Sequence, residues 1–414
     1  MSYRFVKITT FYRDYLSYFY SKNKEVSSLS YDEQYKKIMY DSFGWADFFQ
    51  TNLSQLGVDA YEIIYNATSL QKAWANEHSI DLEGKELLIE QLKAIRPDIV
   101  FFQDSNNFNG AWIDFLRTKV PSIKQIIGWC CNPFTPDQLT LYKNFDYMIT
   151  CSQLFANQFK EYGLKAYILP HAFEKSILKK INIEGSEPQA DFLFIGSLIA
   201  SDDFHNLRTK IIENLLDSGI NLELYSKILI DDPLLLFLKQ SSFLLSKILI
   251  KSGFQKYLMN SKTLRKVALL NELPRNPKYS AKLKAIVKEP IYGLEMFSQI
   301  SNSKMTLNIH GGVAGDFAAN MRLFEVTGVG SCLITDWKKN LNELFEIDNE
   351  VVAFRTIDEC IEKVNWLLEN PTEREKIARA GHQRVLRDHN FAIRAQKLDE
   401  IILAEMYHKN LQLT

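Results

Sequence analysis

The sequence predicts an α/β protein built from two doubly wound domains, and three observations carry that prediction. Short apolar runs recur along the chain with helical patterns between them, as strands buried on both faces of a parallel sheet do. The alternation stops at a polar stretch, Ile183-Glu184-Gly185-Ser186-Glu187-Pro188-Gln189, and restarts with Asp191-Phe192-Leu193-Phe194-Ile195-Gly196-Ser197. At 414 residues the chain exceeds an ordinary single core, so two domains of about 200 residues each are expected.

Taken in order, strands are expected at 5–9, 61–65, 99–103, 125–129, 147–150 and 166–169. Helical patterns such as 81–95 and 153–162 lie between several of them. The helix at 46–56 ends at Gly57, a residue suited to the position just past a helix. Residues 1–172 form the first domain, 173–190 the linker and 191–390 the second domain, whose strands are expected at 191–195, 222–225, 305–309, 331–335 and 351–354. Residues 358–369 read as an amphipathic helix stopped by Asn370-Pro371. A helix at 372–380 follows, with Thr372 and Glu375 as a capping box and Gly381 closing it. The last helix is expected at 391–409, within a terminal segment 391–414.

Composition removes several function classes. The 49 basic and 50 acidic residues give no global reason to bind nucleic acid. The five cysteines, Cys130, Cys131, Cys151, Cys332 and Cys360, are an odd number without metal-type spacing; three sit in expected buried strands or at their ends, as small core residues do, and a reducing compartment fits best. No signal-peptide pattern and no run of eighteen apolar residues is present, so a cytoplasmic protein is expected. An insertion at 230–290 stands out: 234–271 carries Lys239, Lys247, Lys251, Lys256, Lys262, Arg265 and Lys266 but no acid before Glu272. Such a segment suits an anionic membrane surface. Core helices with a basic solvated face, or a basic rim for phosphates, are the alternative readings.

The chemistry concentrates at 305–336. A strand runs into His310-Gly311-Gly312 and Gly315, then a helix with Asp316 as N-cap and Gly328 just past its end. Strand, glycine turn and helix N-terminus together make an anion site. Arg322 and Glu325 share a helical face, where Arg322 would fork onto a diphosphate and Glu325 would accept from a ribose hydroxyl pair. The competing reading is a solvent-exposed i,i+3 ion pair, worth roughly 0.2–0.5 kcal/mol.

The segment Asn320-Met321-Arg322-Leu323-Phe324-Glu325, with Gly330 and Leu333-Ile334-Thr335-Asp336, resembles bacterial glycosyltransferases of the CgeB-like, family-1-like group. So do Leu367-Leu368-Glu369-Asn370-Pro371-Thr372-Glu373-Arg374 and Ala380-Gly381, while Ser30-Tyr31-Asp32-Glu33-Gln34 and Leu70-Gln71-Lys72-Ala73-Trp74-Ala75 resemble enzymes of bacterial polysaccharide clusters. The resemblance implies the GT-B fold, two Rossmann-like domains facing a cleft with the terminal helix crossing back to the first domain. It implies transfer of a sugar from a nucleotide-sugar bound by the second domain to a glycan or lipid-linked acceptor on the first, without metal or other cofactor. It adds Asn320 and Lys304 to the donor side and sets Tyr292-Gly293 beside the nucleobase. Retaining GT-B enzymes often carry two glutamates eight positions apart; Glu325 matches the second, but Phe317 occupies the first, so the stereochemistry stays open.

In such proteins ligands sit beyond the carboxyl ends of the strands. Those ends supply Gly196, Ser197, His310, Gly311 and Gly312 on the second domain, with His205 and Arg208 as weaker phosphate candidates. On the first domain they supply Asp104, Asn132, Ser152 and His171. Asp104 would bind or deprotonate an acceptor hydroxyl, or simply close the turn Asp104-Ser105-Asn106-Asn107. His171, at the domain junction, lines the cleft or serves structure. The loop Asp41-Ser42-Phe43-Gly44-Trp45 faces the acceptor or joins the core. No metal-binding acid pair stands at a strand end, because Asp202-Asp203 and Asp231-Asp232 are adjacent and their side chains diverge. Two other readings remain, a nucleotide-sugar epimerase on the same fold and a non-catalytic two-lobed sugar-binding protein. A dehydrogenase lacks its G-x-G-x-x-G turn after Gly196.

Overall fold

The computed structural model describes residues 3–181, 188–198, 203–228, 230–260, 267–270, 272–310 and 315–411. The heart of the expected linker and the pair Gly311 and Gly312 lie outside the described residues. The fold is α/β with two parallel six-stranded sheets. By compactness the chain divides into a larger unit, Met1–Phe194 with Ile291–Thr414, and a smaller one, Ile195–Pro290. These units cut the chain at Phe194 and Ile291 rather than at the polar stretch.

In the larger unit the first sheet contains β1 (Arg4–Thr9), β2 (Asp59–Ile64), β3 (Ile99–Phe102), β4 (Gln125–Trp129), β5 (Tyr147–Thr150) and β6 (Ala166–Ile168), in the order β2-β1-β3-β4-β5-β6. Every residue of β3, β4 and β5 is buried, as strands covered by helices on both faces require. Gly57 takes a φ of +85° where the helix Phe48–Gln55 turns into β2, the left-handed conformation that glycine adopts without a Cβ penalty.

The larger unit also holds β7 (Ala190–Ile195), all but its last residue, with β10 (Ser303–Asn308), β11 (Cys332–Asp336) and β12 (Val352–Phe354) of the second sheet. β10 lies between β7 and β11, and its register sets Asn308 opposite Thr335. The smaller unit pairs β8 (Glu223–Tyr225) with β9 (Val287–Lys288). β9 is only two residues long and has no apolar run of its own.

Two expected helix ends move. The helix after Pro371 runs through Gly381 to Asp388, with Pro371 at its first position. Gly381 is a contact rather than a stop, since a Cβ there would run into the Glu350 carbonyl oxygen. Gly328 lies inside the helix Arg322–Gly328, where a Cβ would meet the Phe173 ring, and Gly330 takes the left-handed conformation instead.

The terminal helix Phe391–Leu411 crosses back onto the first sheet's domain as expected of this fold. Phe391 packs against Trp45, Phe48 and Phe49. Arg394 donates to the carbonyls of Pro170 (2.8 Å) and His171 (3.3 Å), and Tyr3 donates to Asp399 at 2.6 Å.

Candidate functional site

The polar residues of interest gather beyond the ends of β10 and β11. The pairing of Asn308 with Thr335 puts the next residues of both strands side by side, so His310 and Asp336 meet. One oxygen of Asp336, Oδ1, accepts from the His310 backbone amide at 2.8 Å and from its Nδ1 at 2.7 Å. Burial pushes the Asp336 carboxyl up, but the His310 bonds and charge, with Lys338 at 3.4 Å, hold it below the usual range. Asn308 donates to Thr335 Oγ1 at 2.9 Å and accepts from Asn320 Nδ2 at 2.6 Å. Among the described residues, two buried atoms of this network have no hydrogen-bond partner: His310 Nε2 and Asn320 Oδ1. An unpaired buried polar atom is costly, and such orphans mark places where a ligand completes the bonding.

Two residues after Asn320 begins the helix Arg322–Gly328. Arg322 Nη1 lies 3.0 Å from Glu325 Oε2 and 3.0 Å from Met296 Sδ. The i,i+3 pair is therefore formed, but not in solvent: the two side chains are 18% and 10% exposed. Burial raises the Glu325 pKa, and the Arg322 charge pulls it back.

The expected helix-dipole anion site takes a different shape. The helix begins at Arg322, seven residues long, with Met321 before it and no side chain capping its start. Asp316 is no cap; it pairs with Lys339 at 2.7 Å. The Ala318 amide, which would have faced an anion, donates to Asn340 Oδ1 at 2.6 Å.

Lys304 is not brought to the cluster. It stands at the start of β10, a strand's length from His310, paired with Asp191 at 2.7 Å. Gly196 and Ser197 belong to the smaller unit, where the Gly196 amide donates to the Tyr225 carbonyl at 3.2 Å and the Ser197 carbonyl accepts from Arg208 at 3.3 Å. The side chain of His205 lies outside the described residues.

On the first sheet, Asp104 accepts from Asn107 at 2.6 Å and thus closes its turn. Burial raises its carboxyl nonetheless. Tyr12, at the end of β1, ties this side to the other: crowding first, then the charges of Glu325 and Asp104, push its hydroxyl up, although the ring is 71% exposed. Direct contacts close the same approach, with Cys151 Sγ 3.4 Å from the Ala319 carbonyl oxygen and Ala319 packed on the first sheet's core.

His171, expected to line the cleft or serve structure, is held by the core. Its Nδ1 accepts from Trp45 Nε1 at 3.2 Å, which occupies the lone pair a base would use. Burial and then the Arg394 charge push its pKa down to about 3. The loop around Trp45 is core, with Trp45 buried and Phe43 stacked on Tyr15 at 3.8 Å. Tyr292 joins that aromatic cluster, and Asp41 Oδ1 accepts from the Leu294 amide at 3.2 Å.

Cys131 and Cys151, at the ends of adjacent strands, form a disulfide, contrary to the all-thiol expectation. They lie close enough to His171 for a three-ligand metal group. A disulfide offers no thiolate and Trp45 holds the imidazole lone pair, so the residues as arranged do not fit a metal ion.

Sequence reasoning named His310, Asn320, Arg322 and Glu325 but not the partners Asn308, Thr335 and Asp336. The signal for Asp336 was its place as the last residue of a buried strand parallel to β10.

Residues 260–400 match a family described as glycosyl transferase-like. No curated protein matches the chain. Among solved structures, a glycosyltransferase from Rickettsia africae aligns with a TM-score of 0.52 at 11% identity, covering 97% of each chain. HepE from Anabaena, solved with UDP, aligns at 0.54 and 9% identity over 97% of this chain and 100% of its own. Sucrose-phosphate synthase from Thermosynechococcus elongatus aligns at 0.51 and 9% identity over 100% of both chains. The whole chain shares the GT-B fold of these structures, and its residues 260–400 are similar to the glycosyl transferase-like family.

Proposed function

We propose that this protein transfers a sugar from a nucleotide-sugar to a glycan or lipid-linked acceptor in the cytoplasm. The observation that carries the reading is the buried network at the ends of β10 and β11, with two atoms awaiting partners next to the Arg322–Glu325 pair. HepE has been solved with UDP and with UDP-glucose, which supports a uridine or related diphosphate here. As a glycosyl–phosphate bond breaks, negative charge builds on the departing diphosphate, and a pre-oriented guanidinium stabilises it. Arg322 supplies that charge, and Glu325 holds it in place until the donor arrives or accepts from the ribose. A thermal-shift series with UDP, GDP, dTDP and CMP tests the reading. Ligand at a hundred times its Kd adds about 2.7 kcal/mol of stability, and Arg322→Ala should erase the shift while the unliganded protein still folds. No shift from any nucleotide would overturn it.

Asp104 is our candidate for binding or deprotonating the acceptor hydroxyl, since burial raises its carboxyl and the Tyr12 hydroxyl feels the charges of both Glu325 and Asp104. Asp104→Asn should lower kcat and leave the nucleotide shift intact; equal loss of both would remove the assignment. Transfer is metal-independent in this reading. Activity lost to a chelator and restored by manganese would reverse that.

A lipid-linked acceptor would suit the helix Pro233–Lys251, capped by Asp232. By length and composition its 19 residues could cross a membrane. It leaves Leu234, Phe237, Leu238, Leu245 and Ile248 exposed, with Lys239, Lys247 and Lys251 on the same helix. We assign it to the surface of an anionic bilayer, where each nearby cation contributes about 1 kcal/mol. Co-sedimentation with anionic vesicles at low salt is the test, and absence of binding removes the assignment.

A further inference from the structure

We propose that Asp41 is a positioning residue for Arg322: it caps the helix Gly293–Ser301, and Met296 of that helix sets where the guanidinium lies. The inference rests on the nucleotide-sugar reading above, in which Arg322 meets the diphosphate, and adds a distant turn that controls this arginine.

The helix does not cap itself. Its preceding residue, Tyr292, makes no side-chain bond to the first-turn amides, which lack partners within any helix. Asp41 supplies the acceptor from elsewhere in the chain, taking the Leu294 amide at Oδ1 at 3.2 Å; aspartate and asparagine are among the side chains best suited to that task. Glycine at 293 admits it, since φ there is +55° and a Cβ would overlap the Asp41 carboxylate. The turn that presents Asp41 is forced. Ser42 takes a φ of +59°, a left-handed conformation unusual for serine, and Lys180 pins both flanks by donating to the Tyr40 carbonyl at 3.2 Å and to Ser42 Oγ at 2.9 Å. Backbone held in this way clusters at functional positions.

The same region grips the rest of the helix start. Tyr292 sets its ring edge-on against Tyr15, Tyr18 and Phe43, while Glu295 accepts from the Tyr18 hydroxyl and pairs with Lys22. The next residue, Met296, is buried, and its Sδ lies 3.0 Å from Arg322 Nη1. That nitrogen also lies 3.0 Å from Glu325 Oε2, but Glu325 stands on the arginine's own helix and moves with it. Met296, on a different element, refers the guanidinium to the rest of the fold. A shift of the capped helix end therefore shifts Arg322, and misplacing a binding group by about 1 Å can cost about a hundredfold in rate.

The test has two arms on the full-length protein, with the melting temperature of each unliganded variant as the control for folding. In the first, phenylglyoxal modifies Arg322 and peptide mass spectrometry follows the rate. Asp41→Ala should speed modification at least about threefold, and Asp41→Asn, which keeps an acceptor oxygen, should stay within about twofold of the parent. In the second, UDP is titrated into the parent, Asp41→Ala, Arg322→Lys and the double variant. Asp41→Ala should weaken UDP about fivefold alone but less than about twofold beside Arg322→Lys, which has no fork to be aimed. Equal weakening in both backgrounds, no weakening, or an unchanged modification rate overturns the proposal, as does a lower melting temperature with neither effect. Where Asp41→Ala does not fold, Tyr18→Phe with Lys22→Met is read by the same criteria; it frees Glu295 at a place where Lys22 and Glu295 are 53% and 49% exposed. Should the parent bind no nucleotide, the transferase reading fails separately, and the modification rates alone decide whether Asp41 places Arg322.

Discussion

Lys7 and Glu62 are register partners on β1 and β2, both fully buried, with Lys7 Nζ 2.7 Å from Glu62 Oε1. Neither carboxylate oxygen receives a well-aligned hydrogen bond, and burial pushes the Glu62 pKa up to about 8 while it lowers that of Lys7. Removing one partner strands the other charge, so Lys7→Met should cost about 3–5 kcal/mol in denaturant unfolding, whereas the double change Lys7→Met with Glu62→Leu should come out near neutral. Two histidines set the acid response. His389 donates from Nε2 to the Leu344 carbonyl and accepts at Nδ1 from Arg394, and burial is the chief cause of its pKa falling to about 4. His171 falls to about 3. Below 6.5 the unfolded chain binds protons these rings refuse, so their contribution is complete above 6.5 and is lost as pH falls towards 3, by about 1.4 kcal/mol per unit for each ring. Asp41 acts oppositely: burial raises it to about 6, so its protonation favours the folded state as pH drops. Glu62, raised to about 8, acts in the same direction as Asp41, so the diagnostic is the difference between proteins: from pH 7 to 4.5 the denaturation midpoint of His389→Gln should fall less, or rise more, than that of the parent.

Among the elements, the helix Pro371–Asp388 shows how packing overrides a local stop signal. Gly381 reads as a terminator, yet the helix continues because its missing Cβ admits the Glu350 carbonyl. In an exposed helix Gly381→Ala would add up to about 1 kcal/mol. Here it should destabilise by roughly 1–3 kcal/mol, since the obstacle is backbone that cannot rotate aside. A rise in melting temperature would contradict this. The strands were legible because continuous apolar runs have one reading in a parallel sheet; β4 and β5 lie where the runs 125–129 and 147–150 placed them. The helix of Arg322 was legible in its facing but not in its start. Asn340, twenty-two residues on in sequence, claims the Ala318 amide that would have begun an earlier turn.

For the whole molecule, the terminal helix is the decisive contact within the larger unit. Phe391 fits among Trp45, Phe48 and Phe49, and Ala395, Leu398 and Ile402 are buried along the same helix. Phe391→Ala should cost about 3–5 kcal/mol, and removal of 391–414 should leave a chain that does not fold cooperatively; near-native unfolding after truncation would show the first sheet to be self-sufficient. The alternation of apolar runs and helical patterns by itself determined the two parallel sheets and the positions of Arg322 and Glu325 on one helical face, because periodicity is a local property. Only the tertiary structure decided which polar groups meet: Asp336 beneath His310, Asn308 between Thr335 and Asn320, Trp45 on the His171 lone pair, Asp191 on Lys304. Hydrogen bonds between strand ends depend on register and crossover, and no pattern along a single strand records which neighbour it will have.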